Sequence, residues 1–383
     1  MCLKYAAADG WIISHLDHLD NSYKYVREGD KILSLKFNEL LFDINSQYLR
    51  GNQVVNDDEE SASSGKTRKR KRSKHFSGED MEQMNPIKEG LARILSSAKA
   101  EGLFPDEIVY DNNEAARMIS QKFYSDTVTH NIENLHGCNK MNMAIISETQ
   151  SEKYVFPEQC YFYCNDIKNI AEKMELNNQF DLILLDPPWW NKSIRRKKRK
   201  YSESSYKMMY NEDLIKIPIG KLLSTNGVVA VWCTNAPSHL RSISNDMFPA
   251  WGVKFQAKWY WVKVTRSGKP VCDFNPMPAK QPYELLILGA ASSNNEIKIP
   301  DGKLLVSIPS AVHSHKPPIT DLIASYLPDN PKCLELFARY LLPGWTSWGL
   351  EVLKFQHLSL YRIHESTIQD NKNISTENTE NKR

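Results

Sequence analysis

The hydrophobic positions in the second half of the chain form short continuous runs that alternate with stretches of helical spacing. Phe180–Leu185 is apolar at five of its six positions, and Val228–Cys233 is apolar at all six. Continuous runs of this length are typical of strands that are buried on both faces of a sheet. Further strands are predicted at 161–164, 258–263, 284–288, 303–308, 333–337 and 352–355. Helices are predicted at 170–176, 214–223, 238–248 and 317–326. This alternation predicts an α/β domain over residues 151–360, with a mostly parallel sheet and helices on both faces.

The first half of the chain shows weaker patterns. Residues 1–50 alternate short apolar runs with polar turns and include a strand at 32–37, so we expect a small N-terminal accessory module. Residues 81–150 show helical spacing from Pro86, from Asn112 or Asn113, and near 141–146, which predicts a helical middle module. Residues 51–80 and 361–383 are too polar to build a core, and we expect a disordered basic linker and a disordered tail.

The formal net charge of +3 conceals two dense basic runs. Lys66–Lys74 carries seven cations in nine positions. Within a polar linker, such a run favours a nuclear-import signal that also contacts nucleic acid, while a solvated charge run is the alternative. We therefore expect a nuclear protein, with the cytoplasm as a second location.

The composition excludes several classes of protein. With 41% hydrophobic and 25% charged residues in 383, the chain fits a soluble globular protein, and no apolar run approaches the roughly 20 residues of a membrane span. Polar residues also interrupt the first segment, so we expect no signal peptide. Seven scattered cysteines suit a reducing compartment. Cys160 and Cys164 would lie about 13 Å apart on a strand, too far to share a metal ion, and His313 and His315 have no carboxylate or thiol near them in sequence. We expect no metal.

The strongest candidate for chemistry is the segment Asp186-Pro187-Pro188-Trp189, at the end of the run 180–185. Because proline cannot continue a ladder, Asp186 should lie at the carboxyl end of the strand, where open α/β sheets bind ligands. Asp186 and the Pro187 carbonyl could accept the two hydrogens of an aromatic amine such as that of adenine, and Trp189 could stack on the base. The alternative is an ordinary Pro-Pro turn with Trp189 as a core residue.

Together with later segments, this motif resembles the DPPW-type N6-adenosine methyltransferases, the family around the seventy-kilodalton subunit of the mRNA methyltransferase. The segments similar to the branch of methyltransferase-like protein four are Lys280–Glu284, His313–Pro318, Pro343–Gly349 and Glu351–Gln356. The resemblance extends from about Tyr154 to Phe355. It implies a Rossmann-like methyltransferase domain with S-adenosylmethionine as the cofactor. It also implies a permuted order, in which the cofactor motif Glu335–Arg339 follows the catalytic motif.

The resemblance assigns cofactor-binding roles residue by residue. Asp166 and Ile167 correspond to residues that contact the adenine of the cofactor, and Lys316 corresponds to the lysine that pairs with its methionine carboxylate. Glu335 and Arg339 correspond to residues on the ribose side. Asp186 would face both the methionine ammonium and the target amine. The expected cofactor-binding set also includes Phe337 and Glu351.

Two positions depart from the family pattern. Leu350 stands where the family usually has an asparagine that bonds the ribose, and a lost hydrogen bond of about 0.5–1.5 kcal/mol should weaken cofactor binding without abolishing it. Trp190 stands where the branch more often has an acidic residue. It either adds aromatic surface at the target pocket or packs in the core.

A run of six consecutive cations follows the motif, in the loop that gates the target base in related enzymes. Adjacent cations repel one another unless a polyanion passes nearby, so we expect contact with phosphate. A solvated loop or a second import signal is the alternative. Tyr206 matches an aromatic residue near that gate, and Lys280 and Tyr283 should line the pocket entrance. The predicted substrate-contacting residues are Trp189, Trp190, Lys192, Arg195, Arg196, Lys197, Lys198, Arg199, Lys200, Tyr206, Lys280 and Tyr283.

The combined prediction is an S-adenosylmethionine-dependent N6-adenine methyltransferase that acts on RNA. The resemblance implies an internal 2′-O-methyladenosine of U2 small nuclear RNA as the target. One alternative is a DNA N6-adenine methyltransferase with the same site. Another is a catalytically silent RNA-binding subunit, although such partners usually lose the acidic or aromatic residue that Asp186 and Trp189 retain. We expect a monomer without an obligate partner.

Overall fold

The computed structural model describes residues 2–48, 78–105, 108–127, 132–174, 176, 179–190, 208–275, 279–293 and 296–364. The strands within these ranges are β1 (Leu3–Ala7), β2 (Gly10–Ile13), β3 (Val26–Glu28), β4 (Lys31–Phe37), β5 (Leu135–Asn139), β6 (Ala144–Thr149), β7 (Glu152–Phe156), β8 (Cys160–Cys164), β9 (Phe180–Leu185), β10 (Leu223–Cys233), β11 (Val253–Lys263), β12 (Tyr283–Ala291), β13 (Leu304–Ser307), β14 (Cys333–Leu336), β15 (Trp345–Trp348) and β16 (Tyr361–His364). The α-helices are His15–Ser22, Gly78–Ala100, Glu114–Asp126, Ile170–Lys173, Asn211–Ile215, Ile219–Leu222, Pro237–Ser242, Phe248–Ala250 and Thr320–Ile323. A π-helical turn spans Ile243–Met247, and short 3-10 helices span Glu39–Phe42, Ile167–Asn169, Ala324–Tyr326, Lys354–Gln356 and Leu358–Leu360.

Among the described residues, eleven strands form one sheet in the order β1-β2-β13-β11-β12-β10-β9-β14-β15-β8-β5. Its centre, from β10 through β9, β14 and β15 to β8, is parallel throughout. Ile183 and Leu185 of β9 pack into the core on one face, and Leu182 and Leu184 into the core on the other. The strand is therefore buried on both faces, as its continuous apolar run predicted, and the α/β architecture is confirmed.

The N-terminal residues join this sheet directly. Strand β2 runs parallel to β13, with Gly10 opposite Leu304. A Cβ at Gly10 would lie 1.9 Å from the Leu304 carbonyl oxygen, so no other residue fits at this contact. Strands β16, β4, β3, β6 and β7 form a second sheet of five strands. This second sheet draws on residues before 50, around 150 and after 360, so the segments predicted as separate modules interleave.

Three local predictions are wrong. Residues 144–149 form the strand β6 and not a helix, because the short apolar run pairs as a hairpin with β7 and buries Ala144 and Ile146 at strand spacing. The strand predicted at 352–355 is replaced by a turn and the 3-10 helix Lys354–Gln356. Residues 361–364 of the predicted tail form β16, which pairs with β4.

The helical predictions for the middle of the chain hold in part. Helices Gly78–Ala100 and Glu114–Asp126 are present, but Pro86 lies inside the first helix and not at its start. Residues 78–80 of the predicted linker belong to this helix. The rest of the linker, with the run Lys66–Lys74, and residues 365–383 lie outside the described part of the chain.

The described residues were also inspected for membrane-spanning helices, metal-binding groups and disulfide bonds. No helix in the described ranges is long and apolar enough to cross a membrane. In the same ranges, no group of three or more His, Cys, Asp or Glu side chains is arranged to hold a metal ion. None of the seven cysteines, all of which lie within these ranges, forms a disulfide bond.

Candidate active site at the carboxyl edge of the parallel strands

Asp186 lies where β9 ends, as the prolines predicted. Its main-chain N–H donates to the Leu336 carbonyl oxygen of β14 at 3.2 Å, the last bond of this pairing. Pro187 and Pro188 then lead the chain out of the sheet, and the Pro188 carbonyl oxygen accepts a bond from the Met209 N–H at 2.9 Å. The Asp186 residue is only 8% exposed. A buried carboxylate therefore stands at the edge of the sheet where ligands bind in this architecture.

Three polar side chains converge on this carboxylate. Lys316 Nζ donates to both Asp186 oxygens at 3.0 Å, and Ser314 Oγ donates to Oδ2 at 2.9 Å. An Arg339 guanidinium nitrogen lies 3.5 Å from the same Oδ2. Ser314 has a φ of +63°, in the left-handed region that costs a residue other than glycine on the order of 1–3 kcal/mol. In this strained conformation, the Ser314 hydroxyl is oriented toward Asp186.

Lys316 also contacts a second carboxylate. Its Nζ lies 3.4 Å from Glu284 Oε2, and Glu284 is in turn paired with Lys263. Burial opposes the charge on Lys316, but Asp186 and Glu284 outweigh it and raise its pKa above the ordinary value. Burial likewise favours neutral Glu284, but Lys263 and Lys316 lower its pKa well below the ordinary range. The result is a chain of alternating charges, Lys263–Glu284–Lys316–Asp186, so all four side chains are held in place by their neighbours.

Glu335 lies on β14, beside Leu184 of β9 and Ser347 of β15, and is 3% exposed. Burial and the nearby charge of Asp186 raise its pKa to about 8, against the weaker opposing effect of Lys316 and Arg339. Its Oε2 accepts no hydrogen bond from the described residues. Glu335 is therefore mainly protonated at neutral pH. It does not line the cleft described next, although the resemblance placed it on the ribose side.

A cleft of about 740 Å³, including space open to solvent, lies along this edge of the sheet. Its lining brings together five of the predicted cofactor residues, Asp166, Ile167, Phe337, Arg339 and Glu351. The cleft walls are completed by residues of the segments 208–213 and 348–350. Arg339 belongs to the lining and also approaches Asp186, so it connects the cleft to the buried charges.

Tight backbone contacts build the floor of the cleft. Phe337 turns the chain after β14 with a φ of +64°, and the Ala338 N–H donates to the Trp348 carbonyl oxygen at 3.1 Å. A Cβ at Gly349 would lie 2.8 Å from the Ala338 carbonyl oxygen, so the ends of β14 and β15 can approach only because position 349 is glycine. On the opposite wall, Asp166 caps a 3-10 turn by accepting the Lys168 N–H at 3.0 Å.

The rim of the cleft carries a second ion pair. Arg339 Nε donates to Glu351 Oε2 at 2.9 Å, and Lys354 pairs with the other Glu351 oxygen. Burial favours the neutral form of Glu351, but Lys354 and Arg339 outweigh it and lower its pKa below the ordinary value. Leu350 lies beside them and is 45% exposed. An apolar side chain therefore stands at a polar rim.

Trp189 is a core residue. The sequence analysis gave this as the alternative to an exposed ring on which a base could stack. It is 4% exposed, and its indole N–H donates to the Trp232 carbonyl oxygen at 2.8 Å. Its ring packs against His239 with centroids 4.8 Å apart. The Trp189 main-chain N–H donates to the Pro187 carbonyl oxygen at 2.8 Å. Because a carbonyl oxygen has two lone pairs, Pro187 keeps one for another donor.

The next residue, Trp190, has a different environment. Its ring lies nearly parallel to that of Tyr210, at 21° with centroids 6.1 Å apart, and Tyr210 is 57% exposed. His239 Nε2 lies 3.2 Å from the Trp190 carbonyl oxygen. Because a carbonyl oxygen can only accept, Nε2 carries the hydrogen of this bond. Burial lowers the pKa of His239. Trp190 is half-buried and lies beside a mostly exposed tyrosine ring, outside the cleft lining.

None of the described residues that were predicted to contact the substrate, including Trp189 and Trp190, belongs to the cleft lining. Tyr283 is 8% exposed and packs against Tyr260 and Phe274, and Lys280 Nζ lies 4.4 Å from the centroid of the Tyr48 ring. Lys192, Tyr206 and the six cations Arg195–Lys200 lie outside the described residues.

Four site residues had no assigned role in the sequence analysis. Ser314 and Glu284 contact the Asp186–Lys316 pair, while His239 and Met209 hold the segment Pro188–Trp190. Ser314 and Glu284 lie inside segments that carried the family resemblance. His239 and Met209 carry no such signal, because only the fold brings residues 209 and 239 to residues 188–190.

The comparisons with known proteins give one matching family model and several similar proteins that are named as methyltransferases. The MT-A70 family model matches residues 180–351. The chain is 39% identical over 238 residues to N(6)-adenine-specific methyltransferase METTL4 of Mus musculus, covering 60% of this chain and 49% of that protein. It is 40% identical to N6-methyladenosine RNA methyltransferase MTA1 of Cryphonectria parasitica over 46% of this chain and 53% of that protein. The chain thus spans about half the length of these curated relatives. It is 27% identical to the DNA N6-methyl methyltransferase of Caenorhabditis elegans over 88% of this chain and 95% of that protein.

Proposed function

We propose that this chain, whose residues 180–351 match the MT-A70 family model, is an S-adenosylmethionine-dependent N6-adenine methyltransferase acting on RNA. One observation carries the proposal. Asp186 is a buried carboxylate with fixed orientation, at the carboxyl end of a parallel strand, followed by a carbonyl on a stiff Pro-Pro segment. The lone pair of adenine's exocyclic amine is delocalised into its ring, and two such acceptors are what this amine needs in order to become a nucleophile.

The cleft residues fit S-adenosylmethionine chemically. Ile167 and Trp348 offer apolar surface for an adenine, with the polar Asp166 beside them. Arg339 and Glu351 offer a donor and an acceptor for ribose hydroxyls. Beside the lining and next to Arg339, Lys316 and Asp186 provide one cation and one anion for the carboxylate and ammonium of an amino acid. Bound there, the cofactor would supply a methyl group on a sulfonium, so the task of the chain is to hold and orient the amine.

The residues of the chain then have distinct tasks. Asp186 accepts one hydrogen of the amine, and the Pro187 carbonyl oxygen, which has one lone pair left beside its bond to Trp189, accepts the other. The nitrogen lone pair is left free to attack. Ser314 and Lys316 keep the carboxylate from rotating, and burial of this pair excludes water from the amine. Orientation and water exclusion of this kind contribute most where the electrophile is already activated.

One feature supports a nucleic-acid substrate, and a second favours RNA. Arg195–Lys200 places six cations within fifteen residues of Asp186, as contact with phosphates would require. A similar fungal protein bears the name of an RNA methyltransferase. Within this proposal, an internal 2′-O-methyladenosine of U2 small nuclear RNA is the target, and the run Lys66–Lys74 directs the protein to the nucleus. The second candidate substrate is DNA adenine, favoured by the similarity to the Caenorhabditis elegans protein over nearly its whole length.

The decisive experiment measures methyl transfer to three matched oligonucleotides, 2′-O-methylated RNA, unmodified RNA and single-stranded DNA. The product N6-methyladenine is detected by mass spectrometry. We expect transfer to RNA, with a preference for the 2′-O-methylated form. Asp186→Asn and Asp186→Ala should each lower the rate by at least about 100-fold, in the range found when a preorganised polar group is removed from an active site.

The matched control is Asp329→Ala, because Asp329 is an exposed carboxylate in the loop before β14, at the opposite end of the strand from the site. This variant should turn over like the wild type. Full activity in either Asp186 variant would refute the mechanism, and a preference for DNA would refute the choice of substrate. A silent RNA-binding subunit would show no heat of cofactor binding in calorimetry and no product with any oligonucleotide.

A further inference from the structure

The aromatic pair formed by Trp190 and Tyr210 lies outside the cleft lining, next in sequence to residues that belong to it or bond to it, and has no role in the mechanism above. Trp190 is four residues from Asp186 and directly follows the buried Trp189. Tyr210 directly follows Met208 and Met209, which line the cleft. The two rings are nearly parallel, at 21°, and Tyr210 is 57% exposed. Tyr210 thus presents aromatic surface to solvent, on a segment that is hydrogen-bonded to the one following Asp186.

Both rings stand on fixed backbone. The Met209 N–H donates to the Pro188 carbonyl oxygen, which ties the segment of Tyr210 to that of Trp190. The Tyr210 carbonyl oxygen accepts bonds from the N–H groups of Asp213 and Leu214, at 3.1 and 3.2 Å, as helix Asn211–Ile215 begins. The Trp190 carbonyl oxygen is held by the buried His239. With the backbone fixed, only the side-chain torsions of the two rings lose freedom when a ligand stacks on them.

We propose that Trp190 and Tyr210 form a stacking platform for a base that neighbours the target adenine on a single strand of RNA. The proposal rests on the proposed function, because it takes the position of the target from Asp186. Trp189 is buried and bonded to Trp232, so it does not offer this surface. Stacking of a base on an aromatic side chain is tolerant of sequence and is equivalent to about 5- to 150-fold in affinity.

An RNA strand fits this surface better than a protein partner does. The chain runs from Trp190 through Lys192 into the six cations Arg195–Lys200 within ten residues and reaches Tyr210 ten residues later, so in sequence the two aromatic residues flank a dense basic run. Aromatic faces next to a basic segment are the combination that binds single-stranded nucleic acid. A protein partner gains nothing from six adjacent cations unless it is itself strongly acidic.

The test compares equilibrium binding of the full chain to single-stranded RNA oligonucleotides by fluorescence anisotropy. One oligonucleotide is intact, and two others lack the base directly before or directly after the target adenosine. For the wild type, one of the two abasic strands should bind about 5- to 150-fold more weakly than the intact strand. Tyr210→Ala and Trp190→Ala should bind the intact strand as weakly as the wild type binds that abasic strand, and should no longer distinguish the two strands.

Two controls isolate the stacking contribution. Tyr210→Phe keeps the ring and should bind like the wild type. Phe255→Ala removes an aromatic side chain of similar exposure (47%) near the start of β11. This position is at the edge of the sheet opposite to the carboxyl end of β9, so both affinities should remain unchanged. Tyr210→Ala also guards against misfolding, because this side chain is mostly exposed whereas Trp190 is only partly so.

The outcomes separate this proposal from the proposed function. If neither abasic strand binds the wild type more weakly, or if both alanine variants still distinguish the strands, the platform is refuted. Unchanged RNA affinity together with a changed mass in light scattering would instead identify a protein interface. Methyl transfer is measured in parallel. Absence of any transfer with the expected binding pattern would refute the proposed function and leave the platform standing.

Discussion

Lys316 Nζ lies 3.0 Å from both carboxylate oxygens of Asp186, and the two side chains are only 8% and 11% exposed. Oδ2 of Asp186 also has Ser314 and Arg339 beside it, so this oxygen is the more heavily engaged of the two. Oδ1 contacts Lys316 and is therefore the better placed acceptor for an amine. The resemblance assigned Lys316 to the methionine carboxylate of the cofactor, and we expect Lys316 to share its three donors between that group and Asp186.

The first prediction concerns the stability of this pair. Lys316→Met leaves Asp186 and Glu284 buried without their shared cation, and removing one partner of a buried pair costs about 3–5 kcal/mol. The free energy of unfolding, measured by urea denaturation, should fall by about that amount. Adding Asp186→Asn to Lys316→Met should recover part of the loss, because one uncompensated charge is then removed.

The control for this prediction is Lys332→Met, which changes an exposed lysine in the loop before β14. It should alter stability by less than about 0.5 kcal/mol, as is usual for surface substitutions. A loss of less than about 1 kcal/mol in Lys316→Met would mean that Arg339 and Lys263 compensate both carboxylates without Lys316.

Some features of the site follow from local sequence rules, and others depend on tertiary contacts. Strand β9 and the place of Asp186 follow from local rules, because a continuous apolar run builds a central strand and two prolines end it. The core placement of Trp189 does not follow, since Trp189 and Trp190 are the same residue type in adjacent positions. Their burial differs because Trp189 pairs with Met209 and bonds Trp232, contacts that only the tertiary fold creates.

Tertiary contacts also decided the structure where the local prediction was wrong. The apolar residues near 144–146 are too few to separate a helix from a strand, and pairing with β7 decides in favour of a strand. The bond of Ser314 to Asp186 joins residues 128 positions apart and depends on a left-handed φ, for which serine gives no sequence signal. Residue types therefore predicted which functional groups the site contains, and packing determined which side chains contact Asp186.

The second prediction uses the raised pKa of Glu335. Folding raises this pKa from 4.5 to about 8, so between these pH values the folded protein holds a proton that the unfolded chain has lost. The stability that the protonated group contributes is complete below about pH 4.5 and is lost as the pH rises to about 8. Relative to Glu335→Gln, which cannot ionise, the wild type should lose on the order of 1 kcal/mol of unfolding free energy for each pH unit in this window.

The measurement is urea denaturation of both proteins at several pH values from 5 to 8. Buried His15 and His315, whose pKa values burial lowers, titrate in both proteins and cancel in the difference. A difference in stability that does not change with pH would show that Glu335 is ionised in the folded protein throughout this range.

The third prediction concerns the six cations Arg195–Lys200. If all six contact phosphate, replacing them with serine and glutamine should make the slope of log affinity against log salt shallower by about 4 on single-stranded RNA. The slope is measured by anisotropy at several salt concentrations. Replacing the other basic run, Lys66–Lys74, in the same way separates the contributions of the two runs. An unchanged slope in the Arg195–Lys200 variant would favour the solvated loop or the import signal.

The fourth prediction concerns Leu350, the apolar residue at the polar rim of the cleft. Leu350→Asn places a hydrogen-bonding side chain beside Arg339 and Glu351, where the family usually has asparagine and where ribose hydroxyls would lie. One added hydrogen bond is equivalent to about 2- to 12-fold in affinity, so S-adenosylhomocysteine should bind the variant more tightly by that factor in calorimetry. Leu350→Ala is the matched control, because it removes the exposed apolar side chain without adding a donor or an acceptor. If Leu350→Ala tightens binding as much as Leu350→Asn does, the gain comes from removing the leucine and the ribose does not reach position 350.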